Sequence, residues 1–268
     1  MSTTVEFQPV EETGWRRGLG NLLQGELSSW FKSSRWWKQL IIWLLTIDLL
    51  LMFTILGSKG DTGEEAAPIV FLYGVYGGLF VAIGVMIIMQ RTIVGEKRAG
   101  TAAWVLSKPV TRPAFVVSRL VVNAMGIAFT AALVPALVAY LMYGGLSDVG
   151  WLPFLSYLGA VLLHVLHVLF WATLTWMVGT FSNSTGTVIA VPMVVLFGSW
   201  FLVGIIPGLE YVAPLMLAFG QEVGDFPALA TSLMNGDAPY SWLPLVSTLI
   251  LIPVFIAVGI RRFNREEF

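Results

Sequence analysis

Hydrophobic and polar residues are segregated along this chain into long blocks. Six apolar segments, near residues 37–57, 68–90, 114–143, 153–180, 187–206 and 242–260, come close to or exceed the roughly 20 residues an α-helix needs to cross a bilayer. The third and fourth exceed that length, which predicts tilt or protrusion. Ahead of the first block, Trp15, Leu19, Leu22, Leu23, Leu27, Trp30 and Phe31 recur at helical spacing, with Arg16, Arg17, Gln24, Glu26 and Lys32 mostly off that face. Gly18, Gly20 and Gly25 weaken such a helix in isolation. It therefore needs a support, either a membrane surface or soluble protein, and an in-plane interfacial helix fits the pattern best. Trp30, Trp36 and Trp37 beside Arg35 and Lys38 form an aromatic and basic belt where the first span begins. The expected fold is all-α and integral to the membrane. A tail and interfacial amphipathic helix fill 1–36, and a single six-span domain fills 37–268.

Smaller features refine the spans. Pro135, Pro192 and Pro253 fall inside them and are expected to kink them. Gly74-x-x-x-Gly78 in the second span is a close-packing signal, read as contact with a neighbouring span of the same chain rather than a seam between copies. The connection 207–241 is too long for a turn. Its apolar stretches Tyr211–Phe219 and Phe226–Met234 are too short to span, and predict two short helices partly dipping into the outer leaflet. The connection 181–187 is uncharged and built of small polar residues.

Composition agrees with this reading. The chain is 57% hydrophobic and 12% charged, with a mean hydropathy of +0.81, about half the charged fraction of a soluble domain. With no cysteine, disulfides, thiolate metal sites and cysteine nucleophiles are excluded. Acidic Glu6, Glu11 and Glu12 near the start speak against a cleaved signal peptide, so the first span is expected to serve as its own insertion signal.

Charge sets the orientation. Fourteen of the fifteen lysines and arginines fall before the first span, in the 91–119 region or after the sixth span, and only Lys59 falls on the other side. Asp61, Glu64, Glu65, Asp148, Glu210, Glu222, Asp225 and Asp237 collect with it. The positive-inside rule then places both termini and the 91–113 loop in the cytoplasm. No nucleic-acid partner is expected.

Candidate chemistry is sparse. No G-x-x-x-x-G-K-[ST] occurs, so any ATP must be bound by another chain. Asp48 is the one acid deep in an apolar segment, and His164 and His167 share a helical face at i and i+3. Together they suggest a metal or proton site. The plainer reading pairs Asp48 with Ser or Thr of a neighbouring span and lets the histidines satisfy each other or the backbone. These residues keep open a metal- or proton-handling membrane enzyme and a proton-coupled secondary transporter.

The 91–119 region holds six of the fifteen basic residues. Ile93, Val94, Ala102, Ala103, Val105 and Leu106 offer an apolar side to a short helix, with Glu96, Lys97, Arg98 and Thr101 on a polar one. Lys108-Pro109 ends it. Such a helix at the end of a span suits docking into a groove on a soluble partner, although a solvated or headgroup-bound loop has the same pattern. The sequence here is Glu96, Gly100-Thr101, Val105-Leu106, Pro109-Val110-Thr111-Arg112 and Arg119. It resembles the first cytoplasmic loop of the type-2 ATP-binding-cassette (ABC) transporter permeases, in which Lys is commoner at the last position. The segment around Glu26 resembles that family's N-terminal elbow helix, and Arg261-Arg262-Phe263-Asn264-Arg265 its short tail.

The resemblance implies an exporter-like permease subunit paired with a second copy, surrounded by membrane lipids and driven by a separate cytoplasmic ABC ATPase. That ATPase would carry ATP and magnesium, with no cofactor in this chain. It implies a coupling helix over 96–106, with Glu96, Arg98, Gly100, Thr101, Trp104, Pro109 and Arg112 as coupling residues. It also implies that 207–241 closes the pathway. A non-transporting scaffold that anchors a soluble complex remains a rival.

Overall fold

The computed structural model describes residues 13–57, 74–147, 150–219 and 227–267. These are mostly helical, with no strand among the described residues. A 14-residue helix, α1 (Leu19–Lys32), leads into the first long helix, α2 (Arg35–Gly57). After it come α3 (Tyr76–Arg98), the short α4 (Thr101–Leu106), α5 (Arg112–Leu146), α6 (Phe154–Phe181) and α7 (Thr185–Val203). The chain closes with the short α8 (Leu229–Asn235) and α9 (Leu243–Phe263). Six of these helices are long and apolar enough to cross a bilayer. The expected boundaries hold to within a few residues wherever the chain is described, except that the second span, expected to end near 90, continues as α3 to Arg98; residues 68–73 of that span, Lys59, and the acids Asp61, Glu64, Glu65, Asp148, Glu222 and Asp225 lie outside the described residues.

The long helix α6 is the hub. It packs against α3, α5, α7, α8 and α9, and its large buried side chains include Trp171 and Trp176. Trp176 donates its indole N–H to the Val116 carbonyl of α5 at 3.2 Å. Its ring also approaches Gly259 of α9, where a Cβ would fall 2.3 Å from it. The same device joins α2 to α3, where Trp43 covers Gly84. A bundle of apolar helices has little hydrophobic drive to associate in lipid, so ring-on-glycine contacts of this kind supply close packing.

Three of the long helices widen for one turn, at Leu44–Asp48, Tyr76–Phe80 and Ala128–Leu133. The last has a local cause: Pro135 follows it, and a proline ring collides with the carbonyl four residues back. A π-turn there relieves the collision. Pro192 and Pro253 sit inside α7 and α9 without ending them.

Both described ends of the chain, α1, α4 and the α6–α7 turn meet at one end of the bundle, termed the basal end here. At the far end the 207–241 connection departs from expectation. The stretch before 220 forms two single 3-10 turns, Leu209–Tyr211 and Pro214–Leu217, rather than a helix, and among the described residues of the connection only α8 is α-helical. Leu215 to Phe219 are buried in protein, and a Cβ on Gly78 would fall 2.4 Å from the Ala218 carbonyl oxygen. Thus Gly78 of the Gly74-x-x-x-Gly78 pair admits backbone from the connection rather than a neighbouring helix. The connection enters the bundle beside His167, which lies about 20 Å along α6 at 1.5 Å per residue. Tyr240 ties its base, donating to the Glu210 carbonyl at 2.8 Å; burial, reinforced by the Glu210 carboxylate, pushes the Tyr240 phenol well above its ordinary range.

Candidate functional site at the basal end

The loop between α3 and α5 is two short helices, not the single one expected. Val94–Arg98 continues α3 after a looser turn, and α4 starts anew at Thr101. Gly100 separates them at φ 69, a left-handed conformation that glycine adopts without strain. The adjoining Thr101 hydroxyl reaches back to donate to the Glu96 carboxylate. The Gly-Thr pair therefore turns the corner and locks it. Ile93, Val94 and Ala102 are buried as the apolar side, whereas Ala103 is exposed.

This corner is fastened to three other parts of the chain. The buried Lys97 amine donates to the Thr180 carbonyl at the end of α6 (3.1 Å) and to Glu266 in the tail (3.1 Å). Arg98 Nε donates to the Asn183 carbonyl in the α6–α7 turn at 2.9 Å. Arg119 of α5 bridges two carboxylates, one on Glu96 at 3.2 Å and one on Glu26 of α1. The tail is held in turn: Arg112 donates to the Asn264 carbonyl at 2.6 Å, and Phe263 stacks on Phe115 at 5.9 Å. Arg262 Nη1 lies 2.9 Å from the second Glu266 carboxylate oxygen, close enough for an ion pair but out of line for a hydrogen bond.

Thr111 holds the start of α5. Its side chain accepts from Ala114 N as an N-cap and donates to the Trp15 carbonyl at 2.5 Å, while its backbone N–H donates to the Arg17 carbonyl at 3.1 Å. A threonine two residues before Pro113 is a legible helix start; its grip on the N-terminal segment is not. Lys97, Thr111 and Glu266 were not among the expected site residues, and only Thr111 carried a local signal.

Against this fastened base, one large side chain stands out. Trp104 on α4 is 66% exposed, and the Lys108 amine rests 5.3 Å over its ring. Pro109 is exposed just beyond it. Thus Trp104 and Pro109 face outward, Arg98 is exposed but bonded, and Glu96, Thr101 and Arg112 are engaged within the chain. A groove of about 440 Å3, bordered by Arg98, Ala103, Asn183 and Glu267, opens beside α4.

The intramembrane polar residues do not converge. Among the described residues no three His, Cys, Asp or Glu side chains come together as a metal-holding group. His164 Nδ1 lies 2.9 Å from the Ala160 carbonyl and donates to it. His167 Nε2 lies 3.1 Å from the Trp171 indole N–H and 3.2 Å from the Gly78 carbonyl. The indole has only a proton to give, so Nε2 accepts it in one tautomer and donates to Gly78 in the other. Asp48 is 4% exposed in the π-turn of α2. Neither of its carboxylate oxygens finds a partner among the described residues, the expected Ser or Thr of a neighbouring span included.

Residues 31–268 match the family model of the ABC-2 family transporter proteins. The chain belongs to the ABC-2 transporter family. It is thus a multi-pass, all-α permease with a role in transport, a membrane subunit rather than a catalytic one. A search of curated proteins returned no match. The family match begins near the end of α1, so most of the elbow-like helix precedes it. Within the permease, the loop residues named above occupy the matched region together with the tail that fastens them.

Proposed function

We propose that this permease works as a homodimer driven by a separate cytoplasmic ATPase, and that it exports its substrate. The observation that carries the reading is the contrast at the basal end. Trp104 is exposed on a short helix, while the base of that helix is fastened to α5, α6, α1 and the tail. A protruding aromatic on a rigid mount suits a side chain that fills a partner's groove, since buried aromatics anchor interfaces. Movement of such a docked helix is passed to three spans at once. The basal end is the cytoplasmic one on this reading, as the distribution of lysine and arginine favours. Apolar faces on α2, α7 and α9, with Leu45, Val194, Phe201 and Ile250 exposed, leave room for a second copy as well as for lipid.

The test is purification of the tagged chain in mild detergent with its co-purifying proteins. An ATPase carrying a phosphate-binding loop is expected to accompany the wild type and to be lost with Trp104→Ala, whose exposed site leaves the fold intact. Absence of any ATPase from a folded preparation, or full retention by Trp104→Ala, would sink this assignment.

A further inference from the structure

Between α1, the basal part of α3 and the first turns of α5 lies a polar pocket of about 230 Å3. Three arginines, Arg35, Arg91 and Arg119, line it against two glutamates, Glu26 and Glu96. Arg119 is already engaged by both carboxylates. Arg35 and Arg91 have no carboxylate partner among the described residues. The pocket is therefore net positive, with two exposed guanidinium groups whose charge nothing in the described chain meets directly.

A second pocket of about 230 Å3 opens beside it and shares Trp30 and Val122 as walls. Its lining is apolar, with Phe31, Met125 and Phe129 among its side chains. Gly126 lets the Trp30 indole lie against α5, since a Cβ there would fall 2.7 Å from the ring. From Arg119 to Met125 the groove advances about 9 Å further into the span at 1.5 Å per residue. Trp30 is thus a partition, with a cationic polar pocket on one side and an apolar groove on the other.

We propose that these joined pockets bind one anionic phospholipid. Its phosphate sits between Arg35 and Arg91, and an acyl chain lies along Trp30, Met125 and Phe129. Arginine forks match phosphate oxygens in a bidentate manner. A soluble phosphate would use only the polar half, and a zwitterionic lipid would bring a cation towards a pocket that is already positive. The bound lipid bridges the start of α2 to α3 beside the Glu26–Arg119–Glu96 contacts, and the site does not depend on whether an ATPase docks at α4.

The test is native mass spectrometry of the full chain released from nanodiscs holding equal amounts of phosphatidylglycerol and phosphatidylcholine. Selective retention of phosphatidylglycerol is expected in the wild type. Arg35→Gln with Arg91→Gln should lower it about thirtyfold, the effect of removing two interfacial cations. Met125→Trp, at an exposed position and with no change of charge, fills the groove and should lower retention as well; it keeps the test decisive if the double variant fails to fold. Added glycerol 3-phosphate should not compete. Equal retention of the two lipids, or undiminished retention in the arginine double variant, overturns the proposal. So does competition by glycerol 3-phosphate with retention unaltered in Met125→Trp, which would mark an anion pocket only.

Discussion

Replacing Lys97 with methionine tests how firmly the α3–α4 corner is held. The methylene stem is kept and the charge removed. Lys97 is 7% exposed at its side chain and Glu266 14%, so solvent screens the pair only weakly. The bond to the Thr180 carbonyl is charge-assisted and is worth about 1.5–3 kcal/mol. Stranding a buried carboxylate costs about 3–5 kcal/mol when nothing else meets it, but Arg262 stays within 2.9 Å of Glu266. The two effects together place Lys97→Met at about 2–3 kcal/mol of lost stability. Glu266→Gln and the double variant complete a cycle in which the pair should couple by ~1 kcal/mol or more. Reversible unfolding in mixed micelles reads both quantities. A loss below ~0.5 kcal/mol, or strictly additive single effects, would refute the claim that this amine fastens the corner.

Other perturbations probe different joints. Thr111→Ala removes an N-cap and a bond to Trp15, and should cost ~1–2 kcal/mol; faster hydrogen exchange over 15–32 would report the loosened helix, and unchanged exchange would contradict it. Gly259→Ala forces a methyl into the Trp176 ring and should destabilise by about 1–3 kcal/mol through overpacking, read as a lower unfolding midpoint. Asp48→Leu removes a buried carboxylate that lacks a partner and should stabilise by ~1–3 kcal/mol. Transport lost in a folded Asp48→Leu variant would instead make Asp48 a proton or substrate site.

The spans were legible because crossing a bilayer demands length and hydropathy, and both are local properties. Proline at 135 announced a disturbance, although not that a π-turn would absorb it. Hydropathy could not distinguish lipid from protein as the cover for Leu215 to Phe219, because both are apolar. It therefore suggested dipping helices where backbone packs on Gly78. At the basal end, Gly100-Thr101 and Thr111-x-Pro113 carried conformational signals. Lys97 and Glu96, in a basic loop, read as solvated or partner-facing; their actual partners lie on α6, α5 and the tail. An ion pair between residues 169 positions apart leaves no trace in the spacing of either.

That separation also orders events in time. Synthesis delivers the chain from its N-terminal end, so Lys97 is in place long before Glu266 exists, and Arg112 long before its acceptor at Asn264. Until Asn264 and Glu266 arrive, the loop has its contacts with α1, α5 and α6 but not its bonds to this segment, and a chain arrested before them stays in that half-assembled condition. A corner completed by residues 169 positions downstream stays unfinished until the sixth span has been made and its basal end has folded back onto the loop.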